Sequence, residues 1–262
     1  MTIPVTLSVA GSDSSAGAGI QVDLRMFSAL GTYGTTAITA LTAQNPGEVT
    51  GVVGVEAAFV KAQIDAVFAG MPVRAMKTGM LWSAEVIQVV ADFLKENPKI
   101  ACVVDPVMIA TSGAKLVADE AIEVYKNSLL PRATLMTPNI DEAQVLLDGK
   151  PIGGDDQEAA ARELSKRYRC AVLLKGGHLS GDPVDLLFEN GEVYHWKHPR
   201  LENVNTHGSG CMLAAAITAH LAHGRSLREA VGKGLDAVHH VLAHPTEPAQ
   251  GLALAGIESL KV

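Results

Sequence analysis

Aromatic residues make up only 4% of this 262-residue chain, and cysteine occurs three times. So few rings leave the core to Ala, Val, Leu and Ile, and a hydrophobic fraction of 48% is enough for a sizeable interior. Aliphatic cores of this kind suit parallel strands covered by helices. The cysteines, Cys102, Cys170 and Cys211, are odd in number, far apart and without CxxC spacing. That argues against a disulfide framework or a zinc site and reads as reduced thiols in a cytoplasm. The formal net charge is −7 with no long basic run, which argues against nucleic acid and anionic membrane as partners. No stretch approaches the ~18 apolar residues of a membrane span. The opening MTIPVTLSVAGSDSS has no basic region and too short an apolar run for a signal peptide. The P-loop pattern GxxxxGKS/T is absent, and Gly17-Ala18-Gly19 lacks the third glycine of a dinucleotide fingerprint.

What is there alternates. Apolar strand candidates at Val5–Ala10, Thr35–Thr42, Ala75–Thr78, Ala101–Asp105, Leu135–Thr137 and Ala171–Lys175 are interleaved with helical patterns. The helices fall at Gly19–Leu30, Ala57–Ala69 (with Gly70 as C-cap), Ser83–Glu96, Asp119–Leu130, from about Asp141, and Gln157–Arg169. Asn190-Gly191 between Val184–Phe188 and Glu192–Trp196 signals a hairpin. Helices from about Gly210 to His223 and Leu227 to His244 follow, and the tail after Pro245 reads as a weaker helix. This order predicts an α/β fold with a doubly wound, mostly parallel sheet, an antiparallel hairpin near one edge, and a single domain over residues 1–262. Ligands of such sheets bind beyond the carboxyl ends of the strands. That rule selects the loops GSDSSAGAG, AQNPG, GML, PVMIATSG, PNIDE and GGHLSGD.

Several side chains in those loops suit phosphate chemistry. Asp105 ends a strand, where a carboxylate can hold Mg²⁺ or orient one of its waters. Asn139 and Glu142 share one side of a first helical turn and read first as a capping box, with a Mg²⁺–phosphate grip as the alternative. Lys175 leads from an apolar strand into glycines, placed to reach a phosphate or to snorkel. Late in the chain, NTHGSGC opens an alanine-rich helix. The bare N–H groups of Gly208, Ser209 and Gly210 make an anion site there. Cys211 lies in the same field, which is expected to lower its pKa; a buried, inert thiol is the alternative. Such a loop suits phosphoryl transfer, which rests on positioning and charge neutralisation. His220/His223 and His240/His244 have helical spacing but no partner ligands, and read as helix-face histidines.

The motifs AGSDSSAGAGIQVDL, TALTAQN, MKTGML, VVDPVMIATSG, TPNIDEA, LLKGGHL and NTHGSGCML, in this order over about residues 5–225, resemble the hydroxymethylpyrimidine/phosphomethylpyrimidine kinases of thiamine biosynthesis. The resemblance implies a three-layer α/β/α ribokinase-like fold and two ATP- and Mg²⁺-dependent phosphorylations. The first acts on 4-amino-5-hydroxymethyl-2-methylpyrimidine and the second on its monophosphate. It implies an anion hole at Gly208–Gly210 with Cys211 beside the reacting hydroxyl, where most ribokinase-like sugar kinases have an aspartate. It implies that Gln44 bonds the pyrimidine, with Gly11, Asp23, Met80 and Val107 around the substrate. It places Asn139, Glu142, Lys175 and Thr206 at the nucleotide's phosphates, and Asp105 with Glu142 at the metal. A homodimer is expected. Ala16 departs from a family glycine, Thr111 from a lysine, and Ser209 from a threonine. GKGLDAVHHV resembles a family C-terminal motif but lies too near Cys211 and reads as helix. PVMIATSG and GGHLSGD are the candidate lids. Pyridoxal kinase activity is the runner-up; a non-catalytic pyrimidine-binding protein and a nicotinamide-dependent oxidoreductase fit less well.

Overall fold

Six parallel strands carry the molecule. The computed structural model describes residues 2–108, 119–153, 156–177 and 183–260. Strands β1 (Val5–Asp13), β2 (Tyr33–Asn45), β4 (Val73–Thr78), β5 (Ala101–Val104), β6 (Leu135–Met136) and β7 (Ala171–Leu174) pair in the order β2-β1-β4-β5-β6-β7. Antiparallel strands extend both edges. β3 (Glu48–Gly54) pairs with β2, and β8 (Val184–Glu189) with β9 (Glu192–Lys197) completes the other side. Asn190 and Gly191 turn the β8–β9 hairpin with φ of 51° and 89°, the left-handed pair that this two-residue turn needs.

Both faces of the sheet are covered, as the apolar strands require. Successive strand residues alternate between two cores. Cys102, Val104, Met136 and Val172 point into one, and Val103, Leu135 and Leu173 into the other. The first core packs under α2 (Ala57–Gly70), α3 (Ala84–Glu96), α5 (Ile140–Leu146) and α6 (Gln157–Tyr168). The second packs under α1 (Gly19–Ala29), α7 (Ser209–Ala222) and α8 (Leu227–Ala243). Ten of the residues of α7, from Met212 to Ala222, are buried. A helix that is apolar all round is a buried one, and its alanines let it lie close between sheet and neighbours.

Several boundaries differ from expectation for identifiable reasons. Gly70 is the last residue of α2 rather than its cap, and Met71 follows in extended conformation. The helix from Asp119 is regular only to Val124. It widens into a π-helical stretch at Tyr125–Leu129, and a 3-10 turn at Leu130–Arg132 includes Pro131. The tail is not a helix: Thr246–Ala249 and Leu252–Leu254 form a small antiparallel pair. Pro245, Pro248 and Gly251 explain why, since each disfavours a helix interior. GKGLDAVHHV lies within α8, as its helical reading requires. Ala16 takes φ 60°, so an alanine sits in the left-handed conformation that a glycine would adopt without penalty. Thr111 and most of both candidate lids lie outside the described residues.

Candidate active site

The carboxyl ends of β1, β4, β5, β6 and β7 open onto one edge, and the expected residues gather there in two groups. At the first, Asp105 follows β5 and Lys175 follows β7. Lys175 Nζ lies 3.2 Å from Asp105 Oδ1, and the Thr137 hydroxyl donates to the same oxygen at 3.0 Å. Asn139 pairs in register with Lys175, which brings the start of α5 alongside. Asn139 and Glu142 form the reciprocal capping box: Glu142 N–H donates to Asn139 Oδ1 at 2.8 Å, and Asn139 N–H to Glu142 Oε2 at 2.9 Å. The capping-box reading of that pair holds, and Glu142 is in addition buried within the field of Lys175 and Asp105. Burial pushes the Glu142 carboxyl up to about 7; Lys175 works against the shift and Asp105 adds to it. Burial opposes the charge on Lys175, but Asp105 and Glu142 outweigh it and hold its pKa above the ordinary value.

The start of α7 closes this group. Gly208 has φ 77°, and a methyl there would overlap the Gly17 carbonyl oxygen, so the two glycine loops are in backbone contact. A methyl on Gly210 would lie 3.3 Å from Lys175 Nζ and 3.4 Å from Asp105 Oδ2. The N-terminus of α7, a lysine and two buried carboxylates thus share one small space, although Ser209 N–H, expected to be bare, is taken by a backbone carbonyl. Thr206 is exposed, and its carbonyl accepts from Ser209 N–H at 3.0 Å.

The second group lies toward β1, β2 and β4. Gly11 stands against Met80, whose Cε is 2.6 Å from where a Gly11 methyl would be. Gln44 is half-buried at the end of β2, with Nε2 3.2 Å from His207 Nε2. Val107 is half-buried just beyond Asp105. The AQNPG stretch is not a free loop: Ala43 to Asn45 still belong to β2 and pair with β3.

Asp23 corrects an expectation. It is wholly buried, so it is not part of the pocket wall. It accepts from Lys77 Nζ at 2.9 and 3.1 Å and from Ser8 Oγ at 2.5 Å. Lys77 is equally buried. Burial opposes its charge, but Asp23 and Asp105 hold its pKa above the ordinary value. The pair therefore lies beneath the site and reaches it through the Lys77 field.

Cys211 corrects a second expectation. Its pKa is not lowered: burial pushes the thiol up to about 11, with Asp23 and Asp105 adding to the shift, while Lys77 and the Gly19 N–H oppose it. Two neighbouring carboxylates and poor solvation cost a thiolate more than a helix terminus returns. Cys211 is a neutral thiol in the first turn of α7. Ser8, Lys77, Thr137, Asp13 and His207 were not singled out in the sequence. His207 was quoted within NTHGSGC, and Lys77 within MKTGML, an isolated charge in an apolar strand.

A family model described as phosphomethylpyrimidine kinase matches residues 13–254. The chain belongs to this family. It is therefore a kinase, and the match takes in the strand pair Thr246–Ala249 and Leu252–Leu254 of the tail that the motifs left unassigned. The kinase is 47% identical over 242 residues to a hydroxymethylpyrimidine/phosphomethylpyrimidine kinase of Rhizobium meliloti, covering 91% of this chain and 90% of that one. It spans about half the length of other curated relatives, which include bifunctional thiamine-biosynthesis proteins. A solved phosphomethylpyrimidine kinase of Clostridium difficile superposes with TM-score 0.81 at 41% identity, over 91% of this chain and 99% of that one. A Bacillus subtilis pyridoxal kinase solved as an ADP complex superposes with TM-score 0.89 at 30% identity, over 99% of each chain. The ribokinase-like α/β/α fold is thereby established. Among the described residues no helix is long and apolar enough to cross a membrane.

Proposed function

We propose that this kinase transfers the terminal phosphoryl group of ATP to the hydroxymethyl oxygen of 4-amino-5-hydroxymethyl-2-methylpyrimidine, and then transfers a second to the resulting monophosphate, in the cytoplasmic synthesis of thiamine. The observation that carries the reading is the grouping of Asp105, Lys175 and Gly210 at one end of the crevice, with Gly11, Met80 and Gln44 at the other. One end suits phosphates and the other a small flat ring. In the transfer, the acceptor oxygen bonds to the γ-phosphorus as the bond to the ADP oxygen breaks. The N–H groups of Gly208 and Gly210 and the Lys175 ammonium neutralise the moving charge, while Ser209 N–H is held by the Thr206 carbonyl. The hydroxyl proton leaves late, to an oxygen of the transferred phosphoryl group or to water, because the neutral Cys211 thiol beside it has no place for it.

Asp105 and Glu142 fit Mg²⁺. Both are oxygen donors and both are buried; burial first, and Asp105 after it, push Glu142 up to about 7, and a bound cation would favour its charged form. Mg²⁺ takes few protein carboxylates and completes its shell with phosphate and water. Bound there, it would screen the phosphates. The reading includes a homodimer, in which a second copy covers the exposed Leu41, Val49 and Val53 of the β2–β3 arm.

A neutral thiol bears on the second step. The second acceptor is a phosphate monoester with nearly two negative charges, and a carboxylate beside it would repel it strongly in a partly desolvated site. Cys211→Asp is expected to slow the second phosphorylation at least about tenfold more than the first, measured by rates with each acceptor supplied separately. Equal losses would remove this role for the thiol. The likeness to pyridoxal kinases supports a second reading, turnover of pyridoxal. Steady-state kinetics with Mg-ATP decides between them: kcat/KM is expected to favour the pyrimidine, and a preference for pyridoxal reverses the assignment.

A further inference from the structure

The edge of the sheet opposite the candidate active site carries a groove of its own. Asp105 and Lys175 follow the carboxyl ends of β5 and β7, whereas Pro98, Ala133 and Arg169 precede the amino ends of β5, β6 and β7. Between these three connections opens a space of about 710 Å³, the size of a small-ligand site. Five cations line it: Lys95 from α3, Lys126 from the π-helical stretch, Arg132 from the 3-10 turn, and Arg167 and Arg169 from the end of α6. Among the described residues no carboxylate lines it. In a chain with a net charge of −7, this concentration of positive charge comes from the fold and not from any basic run.

Two of the five are compensated. Asp148 accepts from Lys126 Nζ at 2.7 Å and from Arg167 at 2.6 Å, and Glu163 lies 3.2 Å from Arg167. Among the described residues, Lys95, Arg132 and Arg169 have no carboxylate partner. Arg132 is half-buried and anchored, because its Nη1 donates to the Ser128 carbonyl. Its remaining N–H groups are left for a ligand. Arg169 is held at a cost. It ends α6 with φ 59° and ψ 32°, the left-handed region that glycine or asparagine occupies more easily. Its N–H donates to the Ser165 carbonyl at 2.8 Å, which a glycine would do equally well. An arginine kept in a strained position at the rim of a cationic groove points to a use for its side chain.

We propose that this groove is a second anion site, which binds a small ligand through a diphosphate group. The three uncompensated cations come from three separate elements and converge on one space. Guanidinium groups meet phosphate oxygens with paired, charge-assisted N–H donors. A single phosphate is too short to engage all three, and a diphosphate has both more charge and more reach. The inference stands apart from the pyrimidine reading, since it uses no residue of the crevice. Inorganic diphosphate and a diphosphate ester share the chemistry, and the test separates them.

The test is equilibrium dialysis of the full chain against inorganic diphosphate, hydroxymethylpyrimidine diphosphate or orthophosphate, in metal-free buffer. Wild type is expected to bind at least one of the diphosphates, and orthophosphate at least about tenfold more weakly. Arg169→Gly is expected to weaken diphosphate binding at least about tenfold while its melting point equals or exceeds that of wild type, because glycine relieves the left-handed backbone. Arg132→Gln, which leaves the backbone alone, is expected to show the same loss. Lys166→Gln removes a charge from the same end of α6 without touching the groove and is expected to bind as wild type does. A loss for both diphosphates supports the group alone as the ligand, and a loss for one of them supports the site and names its source. Binding unchanged in Arg169→Gly and Arg132→Gln places the diphosphate in the crevice and overturns the proposal. So does an equal loss in Lys166→Gln, equal affinity for orthophosphate, or a wild type that binds neither diphosphate.

Discussion

Gly210→Ala is expected to lower kcat about 10²–10³-fold while the protein stays folded. The added methyl would sit 3.3 Å from Lys175 Nζ and 3.4 Å from Asp105 Oδ2, in the space assigned to the transferred phosphoryl group. Both neighbours are ends of side chains and can yield slightly, and Ala is the better helix former by about 1 kcal/mol. Stability should therefore move by about 1 kcal/mol or less. KM for the pyrimidine should hardly change, because Gly11, Met80 and Gln44 lie at the other end. Gly208→Ala makes the control. Its methyl would overlap a backbone oxygen at φ 77°, at a cost of about 2–4 kcal/mol in strain and overpacking. Steady-state kinetics beside thermal melts separate the two. A Gly210→Ala enzyme within threefold of wild type would mean that the phosphoryl group does not pass this glycine.

Asp23→Ala is expected to be among the most destabilising single changes in the molecule. It strands the Lys77 ammonium, which has no exposed surface, and leaves Ser8 Oγ without its acceptor. Removing one partner of a buried ion pair costs about 3–5 kcal/mol, which lowers Tm by roughly 10 °C in a chain of this size. Replacing both partners with apolar residues, Asp23→Leu with Lys77→Met, should recover most of that stability. Activity should not return, because the Lys77 charge acts on Cys211 and Asp105. A melting point within 2 °C of wild type for Asp23→Ala, or full activity in the double variant, would show that the pair has neither role.

The fold was legible where the chain states its geometry locally. The apolar strands, the Asn190-Gly191 turn and the caps at Ser83 and Asn139 all stand as read. β3 was not seen because it is an exposed edge strand whose pairing depends on β2, with three glycines around it diluting the alternation. The π-helical stretch at Tyr125–Leu129 has no residue signature. The tail was misread because a short apolar run does not separate helix from strand. At the site, Asp105, Lys175, Gly210 and Glu142 were found because each follows a strand or opens a helix. Lys77 was missed because its partner is 54 residues away, and the Cys211 shift because burial depends on neighbours from other elements.

The central claim is that one site phosphorylates an alcohol and then the phosphate it has made. The most direct measurement is a time course by mass of the full chain with Mg-ATP and hydroxymethylpyrimidine. The account predicts that the monophosphate rises first and then declines as the diphosphate accumulates. Folded protein that consumes no ATP and leaves the pyrimidine unmodified would contradict it, as would monophosphate that accumulates to completion without any diphosphate.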